Sequence, residues 1–276
     1  MSAASVAGPI LLVGCGKMGG ALVAGWRARG IAADRIVIVE PNESARASAS
    51  RLGVQVLGTA PQPDASRPFA ALVLAVKPQV MGQVAPAYRA LMTPATVALS
   101  IAAGITTATL KTHLSAAAVV RAMPNTPAAV GRGMTVLFAA PDVAKAQADL
   151  CGELMGAVGE VRWINDEALM DPVTAVSGSG PAYVFHLIEA LAEAGVAAGL
   201  DPALAADLAR ATVTGSGELA RLSSDPAAKL RADVTSPGGT TEAALKVLMA
   251  DPGGLRELMT RAVQAAAKRS RELAGK

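Results

Sequence analysis

Three short stretches of this chain combine residue types that can do chemistry. In the first, Gly14-Cys15-Gly16-Lys17-Met18-Gly19, the glycines fall on the spacing G-x-G-x-x-G. The three glycines of that pattern serve different ends, namely a tight turn after a strand, close approach of backbone to a pyrophosphate, and close packing of a helix on the strand. The phosphates rest on free N–H groups at the helix N-terminus, where the dipole favours negative charge. Glu40 follows the apolar run Ile36 to Val39, about twenty residues past Gly19, where a carboxylate meets the ribose of an adenosine. The spacing predicts a dinucleotide site; the plainer alternative is a strand–helix corner shaped by glycines.

The other two stretches are Ser177-Gly178-Ser179-Gly180-Pro181 and Ser236-Pro237-Gly238-Gly239-Thr240-Thr241, each leading into a helical pattern. Hydroxyls, glycines and a helix N-terminus together suit a carboxylate, because the backbone offers free N–H groups with no Cβ in the way. The same residues also serve as ordinary helix caps. Neither stretch contains a histidine or a carboxylate, and of the two histidines His113 ends an exposed-looking helix while His186 reads as a core or rim residue. A nicotinamide enzyme without a strong general acid suits a substrate already activated towards hydride, such as an imine carrying its own proton.

These residues need a scaffold, and the apolar periodicity supplies one. Runs at Ile10–Val13, Ile36–Val39, Val54–Leu57, Ala71–Val76, Thr96–Ile101 and Ala118–Met123 alternate with helical patterns, and Met134–Phe138 and Glu160–Ile164 read as two later strands around a further helix. In an open α/β sheet, ligands bind outside the carboxyl ends of the strands. The loops after Val13, Val39, Val76, Ile101 and Met123 then line one crevice and bring Lys77, Ser100 and Asn125 towards a cofactor. Ser100 reads equally as part of a plain strand-to-helix connection.

Strand signals stop near Asn165. Beyond it come only helical patterns, among them 182–198, 202–222 and 254–273, with Asp201-Pro202 as a cap followed by proline in the first turn. The expected fold class is therefore α/β, a dinucleotide-binding domain over 1–165 followed by an all-α domain over 166–276. Stretch 182–200, interrupted by His186, Glu189 and Glu193, is too polar for a membrane span and reads as a buried core helix. The alanine-rich helices carry more apolar face than so small a domain can cover, which predicts an oligomer.

The composition excludes several classes. Hydrophobic residues are 52% and charged residues 17%, the balance of a well-buried globular chain. A net charge of +3 with 3% aromatics leaves neither a basic footprint nor stacking platforms for nucleic acid. The two cysteines, Cys15 and Cys151, form no metal-binding spacing, and no signal peptide is read at the start; a reducing cytoplasm suits this pattern.

In order along nearly the whole chain, Gly14-Cys15-Gly16-Lys17-Met18-Gly19, Ala75-Val76-Lys77-Pro78, Ser100-Ile101-Ala102-Ala103-Gly104, Met123-Pro124-Asn125-Thr126-Pro127, Ser177-Gly178-Ser179-Gly180-Pro181 and Ser236-Pro237-Gly238-Gly239-Thr240-Thr241 resemble pyrroline-5-carboxylate reductases. The resemblance implies a Rossmann-type domain plus a helical dimerisation domain, with dimers assembling further. It implies reduction of 1-pyrroline-5-carboxylate to L-proline with NADPH or NADH, the last step of proline synthesis. By position, Ser236, Gly239, Thr240 and Thr241 would hold the substrate carboxylate and ring nitrogen, with Pro181 as a wall and Thr241 as the catalytic hydroxyl. Gly14 to Gly19 and Glu40 would hold the cofactor, with Ala75 to Pro78, Ala102 to Gly104 and Asn125 bordering its nicotinamide half. Lys229 and Asp233 depart from the family's spacing and receive no role. Glu40 departs as well, since many relatives carry small or basic residues there; a carboxylate repels a 2′-phosphate and tilts the expectation towards NADH, unless Arg46 folds back.

Overall fold

The computed structural model describes residues 8–116 and 118–273. Eight strands form one sheet: β1 (Ile10–Val13), β2 (Ile36–Val39), β3 (Gln55–Leu57), β4 (Ala71–Leu74), β5 (Val97–Ser100), β6 (Val119–Met123), β7 (Gly133–Ala139) and β8 (Gly159–Ile164). Their order across the sheet is β3-β2-β1-β4-β5-β6-β7-β8. The first six are parallel, and the chain returns from β3 to the other side of β1 to lay down β4. That switch of direction opens the crevice in which sheets of this kind take a ligand.

Strands β1, β2, β4 and β5 are buried at every position, as parallel strands covered on both faces must be. Leu12 and Ile38 point to one face, where Leu22, Val23 and Trp26 of α1 (Lys17–Ala28) cover them. Leu11 and Leu72 point to the other, beneath Tyr88 and Leu110. Trp26 also donates its indole N–H to Leu154 O at 2.8 Å, tying α1 to α5 (Lys145–Gly156).

Apolar spacing predicts one helix over 80–91, but the segment consists of a 3-10 turn, the short α3 (Met81–Val84) and a 3-10 run at Ala85–Leu91. Pro86 explains the break, for it has no N–H to give the carbonyl of Gly82 and its ring crowds that turn. The sheet is mixed: β7 runs antiparallel to β6. The link from Met123 to Gly133 is shorter than the dozen or so residues that a crossover takes.

The chain divides into two compact units, one reaching to Gly178 and taking in the chain again from Ala267, the other spanning Ser179–Ala266. The sequence reading set the change of domain at Asn165, where strand signals end. Compactness follows side-chain bonds instead. Glu167 bonds to Thr107 at the start of α4 (Thr107–Leu114), and Ser270 of α11 (Leu255–Leu273) donates to Asp171 of α6 (Met170–Val173) at 2.7 Å.

The second unit is helical, with α7 (Gly180–Ala197), α8 (Pro202–Leu222), α9 (Ala227–Asp233), α10 (Thr240–Leu248) and the first part of α11. Asp201 caps α8 as expected, accepting from Ala203 N at 2.9 Å with Pro202 in the first turn. α7 is not the buried core helix that its composition suggests: no residue of it is buried in the single chain. Phe185 is 60% exposed, and Leu187 and Leu208 are about half exposed. So small a unit cannot close a core over that much apolar face. No helix among the described residues is long and apolar enough to cross a membrane.

Candidate active site

The glycine turn follows β1. Gly14 has φ +87°, a left-handed conformation, and its N–H donates to Val39 O at 2.9 Å. A Cβ on Gly19 would lie 2.5 Å from Gly14 O, so this glycine lets α1 press onto the strand. Gly16 differs: a Cβ there would meet no protein atom within 4 Å. No neighbour packed against it requires a glycine at 16, and the space in front of it is open. Gly16 is also the N-cap of α1 and offers no capping side chain, so the N–H groups of the first turn at Lys17 and Met18 remain for an anion. These features fit the pyrophosphate of a dinucleotide.

The sheet brings other residues expected to border the cofactor to the same edge. Ala75 N donates to Val13 O at 2.8 Å, and Ala75 O and Val76 Cγ1 lie 3.0 Å from where a Gly14 Cβ would sit. Lys77 is exposed and caps the 3-10 turn that Pro78 begins. In the next loop Ser100 is fully buried, and its hydroxyl accepts from Ala102 N at 3.2 Å. Ser100 therefore shapes the Ala102–Gly104 turn, which completes itself with Gly104 at φ +76°.

Glu40 stands at the end of β2 with its carboxylate turned inward. One oxygen accepts from Cys15 N at 2.8 Å and the other from Asn42 N at 3.1 Å. Burial, joined by the Glu40 charge, pushes the Cys15 thiol above its usual range, which keeps it neutral. Arg46 does fold back: Nη1 donates to Glu40 O and Pro41 O, both at 3.1 Å.

Asn125 has its side chain engaged within the fold. Its Oδ1 accepts from Met134 N at 2.9 Å, and its Nδ2 donates to Ser177 O at 3.2 Å. The chain explains why that carbonyl is available, since Pro181, four residues on, has no N–H to give it. The Ser177–Pro181 stretch does open a helix: Ser177 and Gly178 end a π turn, Thr174–Gly178, and Gly180 and Pro181 begin α7 with Ser179 as an N-cap that makes no side-chain bond. Its Gly178 packs directly on Met123. Turns of this width recur at functional sites.

The Ser236–Thr241 stretch does open a helix. Gly238 takes φ +72° and donates to Glu242 Oε2 at 2.7 Å, and Gly239 N donates to Ser236 O at 3.0 Å. The N-cap of α10 is Gly239, with no side-chain cap, and Thr240 and Thr241 are its first two residues. Thr241 is thus not the cap, and its backbone N–H and hydroxyl are left for another partner. His186, read as a core or rim residue, has an 80% exposed side chain paired with Glu189 at 3.1 Å.

One cluster was not foreseen. Arg121 of β6 is 1% exposed, and its Nη1 meets Glu167 Oε1 at 3.1 Å. The same carboxylate accepts from Thr107 N at 2.9 Å and from Thr107 Oγ1 at 2.8 Å, which anchors the end of the Ala102–Gly104 loop. The signal was present in Val119-Val120-Arg121-Ala122-Met123, because a cation inside an apolar strand calls for a buried partner.

A largely parallel sheet with a glycine turn at its switch point and a helical unit bearing an uncapped, hydroxyl-lined helix start are the features of a dinucleotide-dependent oxidoreductase. Comparison with known proteins narrows this class. Residues 167–273 match the family described as pyrroline-5-carboxylate reductase dimerisation, and residues 9–104 the one described as NADP oxidoreductase, coenzyme F420-dependent. The chain is 41% identical to a pyrroline-5-carboxylate reductase of Pseudomonas aeruginosa, with 96% of each chain covered. It is 40% identical to one of Pisum sativum, over 95% of this chain and 94% of the relative. Among solved structures, a Coxiella burnetii reductase superposes with a TM-score of 0.87 at 37% identity, covering 96% of this chain and 98% of the other. A Plasmodium falciparum enzyme with NADP bound gives 0.78 at 27%, over 98% and 99%. The chain belongs to the pyrroline-5-carboxylate reductase family.

Proposed function

We propose that this chain reduces 1-pyrroline-5-carboxylate to L-proline, the closing step of proline synthesis, as a homo-oligomer in the cytoplasm. NADPH or NADH, when bound, supplies the hydride. Gly16 and the open first turn of α1 take the pyrophosphate, Ala75–Pro78 and Ala102–Gly104 border the nicotinamide half, and the Ser236–Thr241 turn takes the substrate. The observation that carries the substrate side is the uncapped start of α10. N–H groups of Thr240 and Thr241 receive the carboxylate, with Ser236 and Gly239 beside it and Pro181 as an apolar wall.

The Thr241 hydroxyl hydrogen-bonds the ring nitrogen and keeps it oriented as the nitrogen passes from planar iminium to amine. No separate proton donor is needed, because the iminium already carries its proton. The apolar faces of α7 and α8 meet a second copy, and dimers assemble further. Thr241→Ala should lower turnover by roughly tenfold to a thousandfold while NADPH binding stays nearly intact. Steady-state rates with pyrroline-5-carboxylate, beside a cofactor titration and a thermal melt, test this. Normal turnover in a folded Thr241→Ala protein removes the catalytic role, and no turnover by the wild type removes the substrate assignment.

A further inference from the structure

Spacing alone made Glu40 the residue that reads the ribose and set the expectation towards NADH. The side chains at that corner point the other way. Glu40 is only 9% exposed, and both of its oxygens already accept backbone N–H groups, from Cys15 and from Asn42. Its charge is directed into the glycine turn. Arg46, by contrast, bridges the end of β2 through Nη1 to Glu40 O and Pro41 O. Among the described residues no carboxylate forms an ion pair with it. A guanidinium held in this way keeps its Nη2 and Nε donors in a fixed fork, the geometry that suits a phosphate. Gly58, just past β3, leaves it room, since a Cβ there would lie 3.1 Å from Nη1. The group sits outside the carboxyl ends of β2 and β3, on the adenosine side of the switch point.

We propose that Arg46 is the specificity-determining residue that receives a 2′-phosphate, so that this chain binds NADPH in preference to NADH despite Glu40. The inference rests on the reading of the glycine turn as a dinucleotide site. The two carbonyl bonds matter because they fix the arginine before the phosphate arrives, lowering the entropy lost on binding.

The test is a titration of the full-length protein with NADPH and with NADH, followed by the fluorescence of the reduced nicotinamide and repeated with adenosine 2′,5′-bisphosphate as competitor. Wild type should bind NADPH about tenfold or more tightly than NADH, the ratio that one or two hydrogen bonds to a charged group can produce. Arg46→Gln should remove most of that ratio and weaken the bisphosphate, while NADH binding stays within about twofold of wild type. Arg46→Lys, which keeps the charge without the fork, should fall between them. Equal weakening of both cofactors in Arg46→Gln would assign Arg46 to holding the β2 corner and overturn the proposal, as would an unchanged ratio or a wild type that prefers NADH. A wild type that binds neither cofactor would overturn the dinucleotide reading itself.

Discussion

Replacing Glu167 by alanine should destabilise the protein by about 3 kcal/mol. The figure follows from what the carboxylate touches. It pairs with Arg121, whose side chain is 1% exposed, and accepts both the N–H and the hydroxyl of Thr107. Arg121 Nε already lacks a partner, so losing Glu167 strips a guanidinium that is under-satisfied to begin with. Breaking a buried pair by removing one member costs about 3 to 5 kcal/mol, because the other charge stays behind uncompensated. Glu167 is 21% exposed, so water replaces part of what is lost and the lower end applies. For a chain of this length that is a fall in Tm of roughly 6 to 12 °C. The decisive comparison is the double variant Arg121→Met with Glu167→Gln, which removes the stranded charge and keeps an acceptor for Thr107. It should lie within about 1 kcal/mol of wild type, a recovery of about 2 kcal/mol over Glu167→Ala that urea unfolding at one fixed protein concentration can resolve. A Glu167→Ala protein less than about 1 kcal/mol below wild type, or a double variant no better than the single, would refute this account of the cluster.

The two glycines of the turn should part company: Gly16→Ala, with open space around its Cβ, folds normally but binds NADPH at least about tenfold more weakly, whereas Gly19→Ala presses on Gly14 O and lowers the melting temperature. A Gly16→Ala protein with normal cofactor affinity would dismiss the pyrophosphate reading. Leu208→Glu alters a side chain that is 48% exposed in the single chain, so a monomer would tolerate it, yet it should shift sedimentation towards monomer. Wild-type protein sedimenting as a monomer at micromolar concentration would contradict the assembly. The raised pKa of Cys15 leaves little thiolate at neutral pH, so its alkylation should be slow at pH 7, still be rising with pH where an ordinary cysteine has levelled off, and slow further with cofactor present. Rapid labelling at pH 7 would mean that the sign is wrong.

How much of this was legible beforehand depends on whether an interaction is local in the chain. The strands β1, β2 and β5 were readable to within a residue or two, because uninterrupted apolar runs between turn residues leave few alternatives. So was the cap of α8, a matter of adjacent residues. What was missed depends on partners far along the chain. The bond from Cys15 N to Glu40, and the one from Asn125 to the Ser177 carbonyl that Pro181 leaves free, could not be read from spacing. The 80–91 segment failed for a different reason: its apolar period is helical, but Pro86 overrules periodicity. α7 misled because composition reports that a face will be covered without saying whether the same chain covers it.

The hydroxyl of Ser270 reaches Asp171, a residue made 99 positions earlier, and Ala267 is buried with the first unit. Domains generally fold in the order in which the ribosome releases them. Here that order has a catch, for the unit begun first is the one finished last. Throughout translation of the helical stretch, the nascent first unit waits without the Asp171–Ser270 bond. Only emergence of the last turns of α11 supplies the serine, so an incomplete polypeptide stalled anywhere before Ala267 carries a recognisable defect in the part of the molecule that was synthesised earliest.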